Sequence, residues 1–244
     1  MKSETCECHV VALETVVRAV ITILAPVVTK IITYLSKSVL RIVDEVTALT
    51  TYYHNLSQAF KVEASNAAKG YINYQEQFTT WRYGLTTMNN NGCGAIAGYN
   101  VLKHVGKFSN TSIEVGNTKA LATIVRDYEA FHGIIAFAFG GTNPAKIESY
   151  LWLRGVKSVT YSGVSGEKAF YEASKSLKPN QIMMLDYWWQ LDGEVGAHLV
   201  EIIKDSSGDF IIPNGGNGSL KSLFDYIYAP NKETRGFIKG WIIG

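Results

Sequence analysis

The chain has 244 residues, a formal net charge of +2, 47% hydrophobic and 18% charged residues. That balance excludes an intrinsically disordered chain, which lacks the apolar surface to fold. Lys and Arg are scattered rather than gathered into the basic stripe of a nucleic-acid binder, so no nucleic-acid partner is expected.

Three cysteines, Cys6, Cys8 and Cys93, are too few for a disulfide framework and favour a reducing compartment or a deliberately free thiol. The "CECH" at residues 6–9 has no second ligand cluster to complete a four-coordinate site. No metal and no cofactor are expected.

Residues 10–69 contain one proline and no glycine. Leu13, Val17, Val20, Leu24, Val27 and Ile31 recur at helical spacing, and after a drift Val28, Ile32, Leu35, Val39, Ile42, Val46 and Leu49 carry the stripe on. The pattern predicts a long amphipathic helix or helical hairpin with a heptad-like seam, kinked or broken at Pro26. Between Arg18 and Lys30 the apolar run is uncharged over only the eleven residues 19–29, whereas a membrane span needs about 20. Acidic residues and Arg18 also spoil a signal peptide. A cytoplasmic address is therefore favoured, and residues 10–50 suit self-association or contact with a membrane surface. The helical pattern ends at Gly70, so the expected division is a helical appendage over 1–70 and a second domain over 71–244.

Beyond residue 70 the elements alternate. A helix over 93–105 follows the turn-forming "NNNG", a second is capped by Asn117, and 133–141 is a short apolar strand or loop. "NPAKIESYLWLRG" is a helix with Asn143 as cap and Pro144 in its first turn. "VKSVTYS" reads as a strand, "SGEKAFYEASKSL" as a helix and "QIMMLDYWW" as a buried strand. "HLVEIIK" and "DFIIPN" form a hairpin around "DSSG", and "GFIKGWII" closes the chain. Helices first and an antiparallel sheet last give an α+β fold.

Cys93 opens its helix, where unpaired amides and the helix dipole favour a thiolate. Gly94 and Gly98 weaken that helix, which suits a close neighbour lying against it. Of the five histidines, His104 lies ~16 Å along the same helix, out of reach of the ~3 Å a base needs. His9 and His54 belong to the appendage, and His132 is a reserve. His198 begins a strand whose hairpin partner ends near Asn214, so antiparallel pairing brings ring and amide together. Asn217 is the fallback partner. Cys93 as nucleophile, His198 as base and Asn214 as its orienter are the candidate catalytic residues.

In that order and context, "NGCGAIAGYNVL", "TNPAKIESYLWLRGVKS" and "GAHLVEII…FIIPNGG" resemble the papain-like cysteine peptidase clan. The nearest likeness is its bacterial branch of double-glycine leader peptidases, which process bacteriocins. The likeness covers roughly residues 78–244 and implies a papain-like fold, a Cys-His-Asn triad and a peptide or protein substrate. The clan carries a glutamine ahead of the cysteine to donate to the oxyanion, and Thr87 stands at that position here. Asn89, Asn90 or Asn91 could replace the missing amide, Asn89 first because it can fold back over the cysteine, with the Cys93 backbone N–H as second donor. The expected activity is a thiol hydrolase cleaving a peptide or amide bond. Transglutaminase-like acyl transfer or deamidation on the same scaffold, and a non-catalytic binding protein retaining the fold, are the alternatives.

Overall fold

The computed structural model describes residues 5–60, 70–106, 118–130, 141–161, 166–214, 227–228 and 234–244, with side chains of the first helix at Thr22 and from Leu24 on. The cap expected at Asn117, the segment 133–140, His132 and Asn217 lie outside the described residues, as do the side chains of Cys6, Cys8 and His9.

Helix α1 (Thr5–Leu56) is one continuous helix that takes Pro26 into its interior. By internal contacts the chain divides into Met1–Glu45 and Val46–Gly244, earlier than the division near residue 70 that the sequence pattern suggests. The reason is hydrogen bonding in the last turns of α1. Asn55 pairs both ways with Arg82, its Nδ2 donating to the carbonyl at 2.9 Å and its Oδ1 accepting the N–H at 2.8 Å. His54 Nε2 reaches the Thr80 carbonyl at 2.9 Å, and Trp81 Nε1 donates to the Ala59 carbonyl. These side chains satisfy backbone groups that have no ladder of their own.

The compact unit continues with a 3-10 helix (Gln75–Gln77) and a short hairpin of β1 (Arg82–Tyr83) and β2 (Thr86–Thr87). Next come α2 (Met88–Asn91), α3 (Cys93–His104), α4 (Thr118–Ala130) and α5 (Pro144–Leu153). As expected, Asn143 caps α5, its Oδ1 accepting from the Ala145 N–H. The second half holds β3 (Ser158–Tyr161), α6 (Gly166–Ser176), β4 (Ile182–Leu191), β5 (Glu194–Lys204), β6 (Phe210–Ile211) and β7 (Thr234–Ile243). Among the described residues β3–β7 form one antiparallel sheet in the order β3-β7-β4-β5-β6, and the fold is α+β.

Both sheet faces are covered, which is why β4 reads as a continuous apolar run instead of alternating. Ile182 and Met184 join the core cluster shared with α3, α4 and α5, whereas Met183, Leu185 and Tyr187 join the cluster shared with α6. The β4–β5 hairpin has a two-residue loop, Asp192 and Gly193, at φ 51° and 88°. An Asp-Gly pair is the expected chemistry for such a loop, and it starts β5 four residues ahead of His198, not at it.

Helix α3 is buried on every side from Cys93 to Leu102, so close approach replaces amphipathic patterning. A Cβ on Gly94 would meet the Thr142 side chain at 2.3 Å, and one on Gly98 would meet Tyr128 at 3.2 Å. Gly94→Ala is therefore expected to destabilise the unit by ~1–3 kcal/mol, the usual cost of overpacking, as read by urea unfolding.

Asn100 locks the helix to the sheet. Its Oδ1 accepts the Ile72 N–H at 2.9 Å, and its Nδ2 donates to the Ile72 carbonyl at 3.0 Å and to Glu201 Oε2 at 3.1 Å. Glu201 is fully buried, and burial pushes its carboxyl up to about 8 against the bond from Asn100. An acid raised on folding holds its proton more tightly in the fold than in the open chain. Its contribution is whole below the ordinary carboxyl range and is lost as pH rises toward about 8. Wild-type stability should therefore fall between pH 4.5 and 8. Glu201→Gln, neutral throughout, should flatten that slope in urea unfolding run across the same range.

Candidate active site

Cys93 is the first residue of α3, entered from Gly92 at the end of α2. The short α2 sets this entry angle: the Gly92 N–H bonds back to the Met88 carbonyl, and the Met88 N–H to that of Trp81. Over the sulfur lies the middle of the β4–β5 pair, where Asp186 faces Leu199 and Tyr187 faces His198.

A cavity of about 260 Å³ opens at this point, walled by Cys93, by Asn90 and Asn91, by Thr142 and Pro144, and by Asp186, Trp189, His198 and Leu199. Cys93 and His198, far apart in sequence, thus line one space. Among the described residues no hydrogen bond joins Sγ to the ring. Strand alternation explains this. The ring of Tyr187, a member of the α6-side core, stands edge-on to the His198 ring with centroids 5.8 Å apart. Leu199 belongs to the α3-side core, the side that Cys93 faces.

His198 Nε2 lies 3.3 Å from the backbone carbonyl of Asn214. The sequence reading expected the side-chain amide of Asn214 to orient the ring. Here the peptide oxygen faces it, and Asn214 itself sits at φ 46°, a left-handed conformation that Asn tolerates. Its Nδ2 is directed instead to Gln75 Oε1 at 3.5 Å, while Gln75 Nε2 donates to the Asn89 carbonyl at 2.9 Å. Gln75 is buried and so ties the segment ahead of Cys93 to the end of β6.

Asn89, the first choice for an oxyanion donor, is turned away. Its side-chain oxygen accepts from the Thr87 hydroxyl, and Asn90 and Asn91 line the cavity instead. Asn91 also donates to the Thr86 hydroxyl at 3.0 Å. Successive residues of one helical turn point in different directions, so a position within an Asn run is not readable from composition.

The thiol differs from the expectation of a lowered pKa. Burial pushes Cys93 up to about 11; backbone N–H groups of Leu199 and Gly94 favour the thiolate, while the carboxyls of Asp186 and Glu201 oppose it. The helix N-terminus is present, but removal from water outweighs it. At neutral pH Cys93 is a thiol.

Asp186 is the residue that the sequence reading missed. It interrupts the apolar run of β4, is 2% exposed, and is pushed up to about 7 by burial, with Lys239 opposing. Its Oδ2 is buried and has no hydrogen-bond partner among the described residues. A carboxylate inside "MMLDYWW" was the available signal, since an acidic side chain in a strand buried on both faces needs a reason. Thr142 adds a hydroxyl to the same wall, bonded to Tyr83 at 2.5 Å.

Of the other histidines, the two with described side chains, His54 and His104, have structural partners. His104 bonds Tyr71 at 2.9 Å and the Asn180 carbonyl at 2.8 Å. Among the described residues no group of three His, Cys, Asp or Glu side chains could hold a metal ion. No described helix is long and apolar enough to cross a membrane. Comparison with protein-family models and with curated proteins gives no match to this chain.

Alkylation of Cys93 by iodoacetamide, followed by peptide mapping, should be slow at pH 7 and accelerate steadily as pH rises toward 11. Asp186→Asn should raise the rate at pH 8, where the native carboxyl is mostly ionised and opposes the thiolate. Fast labelling at pH 6 in the native chain would contradict the buried, neutral thiol.

Proposed function

We propose that the unit Val46–Gly244 is a thiol hydrolase of papain-like type acting on a peptide or side-chain amide. The observation that carries the reading is that Cys93 and His198 wall one cavity together with Asn90 and Asn91. Nε2 facing the Asn214 carbonyl favours the tautomer in which Nε2 carries the proton, which makes Nδ1 the basic nitrogen.

The chemistry begins from a neutral thiol, so the base acts during attack and not before it. On substrate binding Nδ1 of His198, with Nε2 still facing the Asn214 carbonyl, takes the Cys93 proton as sulfur adds to the carbonyl carbon. Catalytic hydrogen bonds of this kind are often long or misaligned before substrate binds. The tetrahedral oxyanion is held by the Cys93 backbone N–H and by an amide of Asn90 or Asn91. The imidazolium then protonates the leaving nitrogen as the carbon–nitrogen bond breaks, leaving a thioester. Water, deprotonated by His198, adds to the thioester carbonyl, and the acid departs with regeneration of the thiol. Asn214 positions the ring through its peptide oxygen.

The buried, neutral thiol favours a second reading, a binding protein that keeps the scaffold without the chemistry. One experiment separates the two. The full chain is incubated with a mixed peptide library, and new termini are identified by mass spectrometry. A hydrolase gives cleavage that Cys93→Ala abolishes and that His198→Ala slows by ~10²–10⁴, the usual contribution of general acid–base catalysis. Cleavage that survives Cys93→Ala, or no cleavage by the native chain, overturns the hydrolase.

A further inference from the structure

Helix α1 carries two distinct faces, and the compact unit uses only one. Within Val46–Leu56, Ala48, Thr51 and Asn55 are buried at 2%, 2% and 0% exposure. Over the same turns Val46, Leu49 and Tyr53 are 59%, 51% and 64% exposed. The bare residues continue a strict repeat N-terminally. Ile32, Val39 and Val46 fall at one heptad position and Leu35, Ile42 and Leu49 at the other, all between 51 and 59% exposed. From Val28 to Tyr53 the spacing alternates between three and four residues without interruption. That is about three and a half heptads, the length at which a coiled-coil signal becomes meaningful.

We propose that this seam is a homodimer interface, in which two copies of the chain join through a parallel two-stranded coiled coil along α1. This inference is independent of the proposed hydrolase. Three observations select a second copy as the occupant.

The repeat period is 3.5 residues, which keeps a seam facing one partner helix by supercoiling. Its first position is β-branched at Ile32, Val39 and Val46, and its second holds Val28, Leu35, Ile42 and Leu49; a β-branched first position with leucine at the second favours two parallel strands. The flanking positions decide whether identical chains can meet, because in a parallel homodimer the flanks of one chain face those of its copy. Here they are Thr29, Ser36, Ser38 and Thr50 among uncharged neighbours, and the one charged flank, Glu45, is bonded to Arg41 on its own helix at 2.9 Å. Lys30, Lys37 and Asp44 occupy the outermost position, and Thr51, buried in the compact unit, is next in that series. Within Val46–Leu56 the seam residues Val46, Leu49 and Tyr53 therefore stay exposed while Ala48, Thr51 and Asn55 are buried.

A lipid surface fits less well. A helix lying on a membrane carries a basic polar face, whereas the polar face of α1 past Pro26 mixes Lys30, Lys37 and Arg41 with Asp44 and Glu45.

The test is sedimentation of the full-length chain. At about 100 μM, well above the dissociation constant of an ordinary specific interface, the native chain should have twice the monomer mass. The double variant Val39→Glu with Ile42→Glu should weaken association at least about tenfold, because the flanks offer no positive charge to compensate. Lys37→Glu, on the outer face, should leave it unchanged. The seam is exposed in the single chain, so the variants should fold; near-ultraviolet circular dichroism checks this.

A second readout does not depend on those variants. In a background with Cys6→Ser and Cys8→Ser, Val46→Cys should form an interchain disulfide under mild oxidation, since equivalent seam positions come within disulfide reach only in a parallel, in-register pair. Lys37→Cys should not. A monomer at that concentration, or a dimer that survives the double substitution, overturns the proposal. A dimer without the Val46→Cys cross-link overturns its parallel geometry. A monomer that co-sediments with phosphatidylglycerol–phosphatidylcholine vesicles assigns the seam to lipid and overturns it equally.

Discussion

The compact unit depends on one helix buried on all sides. Helix α3 has sheet below it and helices beside it, and it comes close enough for Thr142 to fill the space over Gly94 and for Tyr128 to cover Gly98. A helix so placed cannot expose polar side chains to water, so its one internal amide, Asn100, must be satisfied by the protein. It meets both backbone groups of Ile72 and the Glu201 carboxyl. That junction fixes the height and rotation of α3 over β5, and with it the position of Cys93 over the β4–β5 pair.

The same burial sets the chemistry at the sulfur. Glu201 and Asp186 face α3 from neighbouring strands, and both are held toward their neutral forms by loss of water. Their carboxyls oppose a negative sulfur, and the amides of Leu199 and Gly94 do not offset the desolvation. Such a thiol differs from a resting ion pair. Any reaction it performs needs a proton acceptor at the moment of attack, and His198 is the imidazole on the cavity wall.

Much of the architecture was legible beforehand. The α5 cap at Asn143, the buried β4 run, the helix at Cys93 and the strands of the second half all follow from local rules of capping, periodicity and turn chemistry. The long helical pattern through Leu49 was likewise readable, although Pro26 does not end α1. The Asp192–Gly193 loop was a readable signal overlooked, and it moves the start of β5 away from His198. The division near residue 70 could not be placed by pattern, because what joins the end of α1 to the compact unit is a set of side-chain bonds from Asn55 and His54 to distant backbone.

The site divides along the same line. Residue type and chain order, by themselves, single out Cys93 at a helix entrance and His198 in a strand, since both arise from short-range context. Which asparagine of the 89–91 run faces the cavity, which group of Asn214 meets the ring, and the presence of Asp186 beside the thiol are tertiary outcomes. Each depends on the direction of a side chain or peptide after packing, and neighbouring positions on a helical turn or a strand point to different sides. The sign of the thiol's pKa shift is decided there too. A helix terminus is visible in a string of residues, but the exclusion of water that outweighs it exists only once the sheet has closed over the helix.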